Sequence, residues 1–319
     1  MITPKTTFIV GAGASEPYGL PIASSICRDA RGLQPLSVIY QLVSAALDGH
    51  TRLLDEMLED FREHPTSSID AYLEYRQQEP DTMRVGKLLI AALMGQALAV
   101  RNNLTTQAYE GDWIRHVISH MGRGAARAAG FAKAAQKVEF VTFNFDSLIE
   151  ERSAQLLRSI YKRHDGIEEA IRSIHVTHVH GQIPDPPPPP MQIPIRSGGA
   201  TVNQATDPKW VEWLKKAAPE IRVVMDDIDD ALLRKVKDTI DASKIVCFLG
   251  FSYDKGNLAK LGFPKQQKRS IEVFGSAFDL TKEQRSHAQA RIGPLTPLSL
   301  ADSDEKCLNV LQNRHILRD

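Results

Sequence analysis

The sequence predicts an α/β protein built on a parallel sheet and carrying a long helical insertion. Three observations predict it. Short apolar, β-branched runs recur at 7–10, 138–143, 174–180, 221–225, 244–249 and 271–274, each with the composition of a strand. Segments of helical spacing separate them, the alternation expected of a parallel sheet. Glycines and short polar residues close these runs, and in such sheets ligands sit beyond the carboxyl ends of the strands. The expected organisation is a sheet domain from 1–34 and 137–319, with a helical insertion at 35–136.

The first run, Thr7-Phe8-Ile9-Val10, ends in Gly11-Ala12-Gly13-Ala14-Ser15. Glycines permit positive φ and close approach of the backbone to a ligand. The N–H groups of a helix start suit an anion such as a pyrophosphate. Gly11 and Gly13 supply GxG, but Glu16 stands where the dinucleotide fingerprint has its third glycine, so a plain strand–turn–helix corner is the competing reading. Two prolines and Gly19 make 17–21 an irregular connection, and 22–33 reads as a short helix ending near Gly32.

From Pro35 to Gln136 the pattern is helical. Val38, Ile39, Leu42, Val43, Ala46 and Leu47 recur at helical spacing, as do Leu53, Leu54, Met57, Leu58 and Phe61. A third helix is expected over 81–101. A fourth starts at Asp112, an N-cap residue, and carries Trp113, Val117 and Met121.

Strand 138–143 follows and ends at Asn144-Phe145-Asp146, before a helix over 148–160. In strand 174–180, Ile174, Val176, His178 and His180 share a face. Residues 184–194 contain five consecutive prolines and read as exposed polyproline II, either a stiff connection or a ligand for a proline-binding module. Helices are expected at 210–216, 229–240 and 302–311. The run 244–249 is continuously apolar, as in a strand covered on both faces, and ends in Gly250-Phe251-Ser252. The run 271–274 ends in Gly275-Ser276.

Lys+Arg and Asp+Glu both number 39 in 319 residues, so the net charge is zero, which argues against bulk electrostatic binding of nucleic acid. Cys27, Cys247 and Cys307 form no CxxC pair, which fits a reducing cytosol. No signal pattern opens the chain, and no apolar run reads as long enough to span a bilayer. A cytoplasmic protein without membrane contact is the expectation.

Four segments stand in order: Gly11-Ala12-Gly13-Ala14-Ser15, Thr142-Phe143-Asn144-Phe145-Asp146, Val179-His180-Gly181 and Leu249-Gly250-Phe251-Ser252. This order resembles the sirtuin superfamily and, more closely, the bacterial SIR2-like NAD-consuming proteins of antiphage defence. The resemblance covers about 1–34 and 137–278. Two features depart from the sirtuin deacylases: the three cysteines cannot supply a four-cysteine zinc site, and Leu20-Pro21-Ile22-Ala23 stands in place of the Pro-Asp-Phe-Arg loop.

The resemblance implies a Rossmann-like sheet of the sirtuin type without a zinc ribbon. It implies NAD+ as substrate, hydrolysed to nicotinamide and ADP-ribose, and no metal. It assigns Asn144, His180 and Asp146 to catalysis. It assigns Gly11, Ala12, Gly13, Ser15, Gly250, Ser252, Gly275 and Ser276 to the nucleotide. Asn144 would position water or ribose, His180 would accept a proton, and Asp146 would orient or stabilise charge. Other roles stay open. Asn144 can cap the following helix, Ser15 can cap the first, and Ser252 and Ser276 can be ordinary turn residues. His178 and His180 could form a metal pair, although no third ligand is evident. The resemblance also implies a homo-oligomer and a regulatory partner encoded nearby, such as a DNA-translocase-type ATPase, an Argonaute-like protein or a phage component. A non-catalytic nucleotide-binding scaffold subunit and a protein lysine deacylase are the alternatives, the latter disfavoured by the missing cysteines.

Overall fold

The computed structural model describes residues 4–66, 68–101, 111–162, 165–183, 187–188, 207–223, 226, 228–264 and 271–317. In chain order these form β1 (Thr6–Val10), α1 (Ala23–Arg31), α2 (Val38–Ala46), α3 (Thr51–Glu63), α4 (Ile69–Tyr75), α5 (Pro80–Arg101), α6 (Trp113–Met121) and α7 (Ala128–Ala135). Next come β2 (Val138–Thr142), α8 (Leu148–Ile160), α9 (Ile167–Arg172), β3 (His175–His178), α10 (Pro208–Ala217) and α11 (Asp230–Asp241). The chain closes with β4 (Ile245–Leu249), α12 (Lys255–Lys260), β5 (Glu272–Gly275), α13 (Lys282–Ile292), β6 (Leu298–Leu300) and α14 (Cys307–Asn313). The chain packs as two compact units. One comprises Met1–Pro17, Ala108–Val179 and Ile228–Asp319; the other comprises Tyr18–Gln107 and His180–Asp227.

In the first unit the six strands form one sheet in the order β3-β2-β1-β4-β5-β6, and every pairing is parallel. This is the doubly wound, Rossmann-like α/β arrangement, in which the strand order reverses at a switch point; here that point lies between β1 and β4. Those two central strands are buried along their whole length, which explains why Phe8–Val10 and Ile245–Leu249 run apolar without alternation. Ile9, Val141, Val246, Phe248 and Val273 form one face with Val236 and Ile240 of α11 and Ala288 and Ile292 of α13. On the other face Phe8 stacks on Phe140 at 5.5 Å, and Trp113 of α6 approaches Phe140 at 6.5 Å. Arg152 of α8 donates from Nε at 3.1 Å and from Nη2 at 2.6 Å to one oxygen of Asp112, Oδ2, an ion pair that ties α8 to the start of α6. Asp112 also caps α6, accepting from Arg115 N at 3.0 Å.

The second unit is helical. α5 packs with α2, α3, α4 and α10. By length and composition α5 is apolar enough to cross a membrane, which corrects the sequence reading. Its Leu88, Leu89, Ala91 and Ala92 are buried in the helical unit. Two glycines let neighbours come close: a Cβ on Gly86 would lie 2.7 Å from Leu73 of α4, and one on Gly95 would lie 2.4 Å from the Trp213 ring of α10. Arg31 of α1 donates to the carbonyl of Phe61 in the last turn of α3 and to those of His64 and Thr66 beyond it, satisfying acceptors that a helix terminus leaves open.

The run 221–225 is not a strand over its described part, 221–223. A 3-10 turn at Ala218–Glu220 precedes it. Arg222 N donates to His180 O, and Val223 N to the Asp226 carboxylate, so these donors are spent outside any ladder. Residues 224–225 and most of the proline run at 184–194 lie outside the described residues. The helix expected directly after the glycine turn is instead a pair of 3-10 turns, Ala12–Ala14 and Glu16–Tyr18; the first α-helix begins at Ala23.

Gly95→Ala sets two effects against each other. Helix propensity gains about 1 kcal/mol, while overpacking against Trp213 costs about 1–3 kcal/mol. A net loss, seen as a lower urea midpoint, is expected; a raised midpoint would show that the Trp213 ring has room to move.

Candidate functional site

The carboxyl ends of β1 and β4 meet backbone to backbone. Gly11 N donates to Leu249 O at 2.9 Å, and Gly13 N donates to Gly250 O at 3.0 Å. Side chains have no room here. A Cβ on Gly250 would lie 1.9 Å from Ala14 N, and one on Gly11 would lie 2.6 Å from Gly250 O. Gly250 also has φ +58, a conformation glycine adopts without penalty. The glycines are therefore explained first by this crossing, which falls at the topological switch point. Gly11, Gly13, Ala14 and Ser15 all donate their N–H groups to backbone carbonyls. Ala12 and Gly13 remain half-exposed.

The loop after β2 is fastened to this turn. Asn144 Nδ2 donates to Gly11 O at 3.2 Å and to Ser15 Oγ at 2.9 Å. Ser15 Oγ donates to Asp146 Oδ2 at 3.2 Å. Asp146 Oδ1 accepts from Leu148 N at 3.0 Å, capping the first turn of α8. Asn144, Ser15 and Asp146 are buried. Three sequence-predicted residues thus come together, with roles defined by their bonds. Asp146, not Asn144, caps α8, and Ser15 links the two. Both N–H donors of the Asn144 amide are used, which leaves its Oδ1 as the side chain's remaining hydrogen-bonding group.

His178 lies beside this loop, paired with Thr142 across β2 and β3. Its Nδ1 is 3.0 Å from Asn144 O, and its Nε2 is 2.8 Å from Glu150 Oε1 on α8. Burial disfavours the charged ring, but the Glu150 hydrogen bond and charge, the Asn144 carbonyl and Asp146 outweigh it, and the pKa is raised. Glu150 was not singled out from the sequence. Its one signal is its position in the first turn of α8, and the strand partner it meets is 28 residues away.

His180 and Gly181 belong to the second unit. His180 is buried, and its carbonyl accepts from Arg222 N at 2.8 Å. Gly181 has φ +84, and a Cβ there would lie 2.0 Å from Glu220 O. The glycine of this pair thus has a steric cause: only glycine lets 218–222 close over this turn.

The remaining predicted residues divide. Ser276 Oγ accepts from Gly250 N at 2.8 Å, and Ser276 O accepts from the Tyr253 hydroxyl at 3.0 Å. A Cβ on Gly275 would lie 1.9 Å from that hydroxyl. Gly275 and Ser276 therefore brace the β4 loop. Ser252 is exposed between buried Phe251 and Tyr253. The three cysteines are buried and free; burial pushes the Cys307 thiol up to about 12 and Cys247 well above its usual value, so neither supplies a thiolate near neutral pH. Among the described residues no group of three or more His, Cys, Asp or Glu is arranged to hold a metal ion.

No protein-family model matches the chain, and no curated protein sequence matches it. Among solved structures, the chain is similar to a SIR2 homolog crystallised as an NAD complex, at 12% identity and TM-score 0.42, over 99% of this chain and 91% of the other.

Gly250→Ala is expected to cost more than the roughly 1–3 kcal/mol of positive-φ strain alone, because the added carbon also meets Ala14 N. Ser276→Ala, which removes one acceptor from a half-buried N–H, is expected to cost about 1 kcal/mol. Urea denaturation of both variants checks this order, and equal losses would remove the crossing as the dominant constraint.

Proposed function

We propose that the protein binds NAD+ at the switch-point crevice and hydrolyses its nicotinamide–ribose bond, as a regulated effector of antiphage defence. The observation that carries the reading is the strand-order reversal at the Gly11–Gly13/Gly250 crossing, with the buried Asn144–Ser15–Asp146 chain bonded to it. Dinucleotides are bound at such crevices. The four ordered motifs support NAD+ in particular and the defence role.

The chemistry asks little of an acid. The nicotinamide of NAD+ is a pyridinium and departs as a neutral molecule, taking the electron pair of the breaking C–N bond. Water oxygen bonds to ribose C1′ through an oxocarbenium-like transition state, as in glycoside hydrolysis. The Oδ1 of Asn144 accepts a hydrogen bond from water or a ribose hydroxyl. A base takes the proton lost by water and returns it to solvent; the motif resemblance assigns that role to His180. Asp146 acts at one remove, holding Ser15 and the start of α8.

A second reading is a nucleotide-binding subunit without turnover. It is favoured by the bonds that the Gly11, Gly13, Ala14 and Ser15 N–H groups make to backbone carbonyls within the protein.

Nicotinamide release from NAD+, with and without the protein encoded by the neighbouring gene, separates the two. The enzyme reading expects turnover that falls about 10²–10⁴-fold in Asn144→Ala and His180→Ala. Tight NAD+ binding with no release under either condition selects the second reading. Release unaffected by both substitutions overturns the residue roles.

A further inference from the structure

We infer that His178 and Glu150 form a positioning pair that fixes the Asn144 peptide, and that protonation of the imidazole sets it. The link from this peptide to catalysis rests on the function proposed above; the geometry does not.

The argument is one of donors and acceptors. Asn144 O can only accept, and so can an ionised Glu150 carboxylate. The His178 ring sits between them, with Nδ1 3.0 Å from the carbonyl and Nε2 2.8 Å from the carboxylate. A neutral imidazole has one N–H and can serve one of the two, leaving a lone pair facing oxygen at the other. The imidazolium donates to both. The His178 side chain is 10% exposed and that of Glu150 35%, so water competes weakly at the ring. The charges acting on the ring are Glu150 on α8 and Asp146 in the β2 loop, both acidic.

Asn144 is thereby held at its N–H, its carbonyl and its side chain. Its N–H donates to Thr142 Oγ1 at 3.1 Å, its carbonyl accepts from His178, and its side chain is bonded to Gly11 and Ser15. Loss of the His178 contact frees the carbonyl end of a residue whose Oδ1 must be aimed at a reacting group. His178 thus acts through Asn144 and touches no substrate. The sign follows from the raised pKa. The stabilisation is complete below the unfolded value near 6.5, and it is lost as pH rises through the higher folded value.

The test is a pH titration of the full chain by NMR, following the His178 ring nitrogens and the Phe145 amide, which shares the Asn144 peptide group. The expected result is a ring that holds both protons past pH 6.5, with the Phe145 amide moving at the same midpoint. In Glu150→Gln both midpoints should fall together. In the nicotinamide assay, Glu150→Gln and His178→Ala should lower kcat about 10- to 100-fold with KM little changed, and His178→Asn, which retains one donor, should recover part of the loss. A ring that deprotonates at or below pH 6.5, or a Phe145 amide indifferent to it, overturns the pair. Unchanged kcat in Glu150→Gln overturns its link to catalysis. If the wild-type protein releases no nicotinamide, the proposed hydrolysis fails while the NMR titration still decides the pair.

Discussion

The structure of the sheet unit depends on two backbones passing at the ends of β1 and β4 with no side chain between them. Gly11, Gly13 and Gly250 make that passage possible, and the bonds from Gly11 N to Leu249 O and from Gly13 N to Gly250 O lock it. Other contacts at this edge hang from it. Asn144 reaches the β1 turn through Gly11 O. Ser276 joins β5 to the β4 turn through Gly250 N. Trp113 joins α6 to the β1 turn through a 2.8 Å bond to Ala14 O. Fold and candidate site therefore share their most constrained atoms.

The polar groups around this passage form a directed chain. Asn144 donates to Ser15, Ser15 donates to Asp146, and Asp146 accepts from the first turn of α8. Asp146 thus holds Ser15 with one oxygen and the first turn of α8 with the other, the part of an orienting group. The position of α8 is set in turn by the Arg152–Asp112 pair. Both side chains are largely buried, so losing either partner leaves a stranded charge, typically about 3–5 kcal/mol. That ion pair thus fixes the element from which both Asp146's acceptor role and Glu150's contact with His178 follow.

The sheet was legible because its central strands carry continuous apolar runs, and α2, α3, α5, α6 and α8 because their buried residues recur at helical spacing. Short elements escaped. β6 has three residues, and α9 and α12 have six each, too few to show a period. α13 is longer, but of its eleven residues only Ala288 and Ile292 are buried, so it lacks an apolar stripe; its Thr281–Gln284 capping box was the readable signal. The run at 221–225 misled because apolar content says nothing of where a donor goes, and Arg222 N goes to His180 O. At the site, the types of Gly11, Gly250 and Asn144 pointed to the right edge of the sheet. The causes did not show, because the atoms that Gly250 would strike are more than 230 positions away in sequence.

The use of the turn's N–H groups within the protein bears on which part of a dinucleotide the proposed site would serve. A phosphate offers only acceptors and asks for donors. Gly11, Gly13, Ala14 and Ser15 have already given theirs to carbonyls, and both N–H bonds of the Asn144 amide are committed. The edge also offers the amide oxygen of Asn144, which only accepts, and the exposed hydroxyl of Ser252, which does both. Those groups match ribose hydroxyls better than a pyrophosphate. Under the proposed hydrolysis the reacting carbon is itself in a ribose, so an edge equipped for sugar is the one that the chemistry requires.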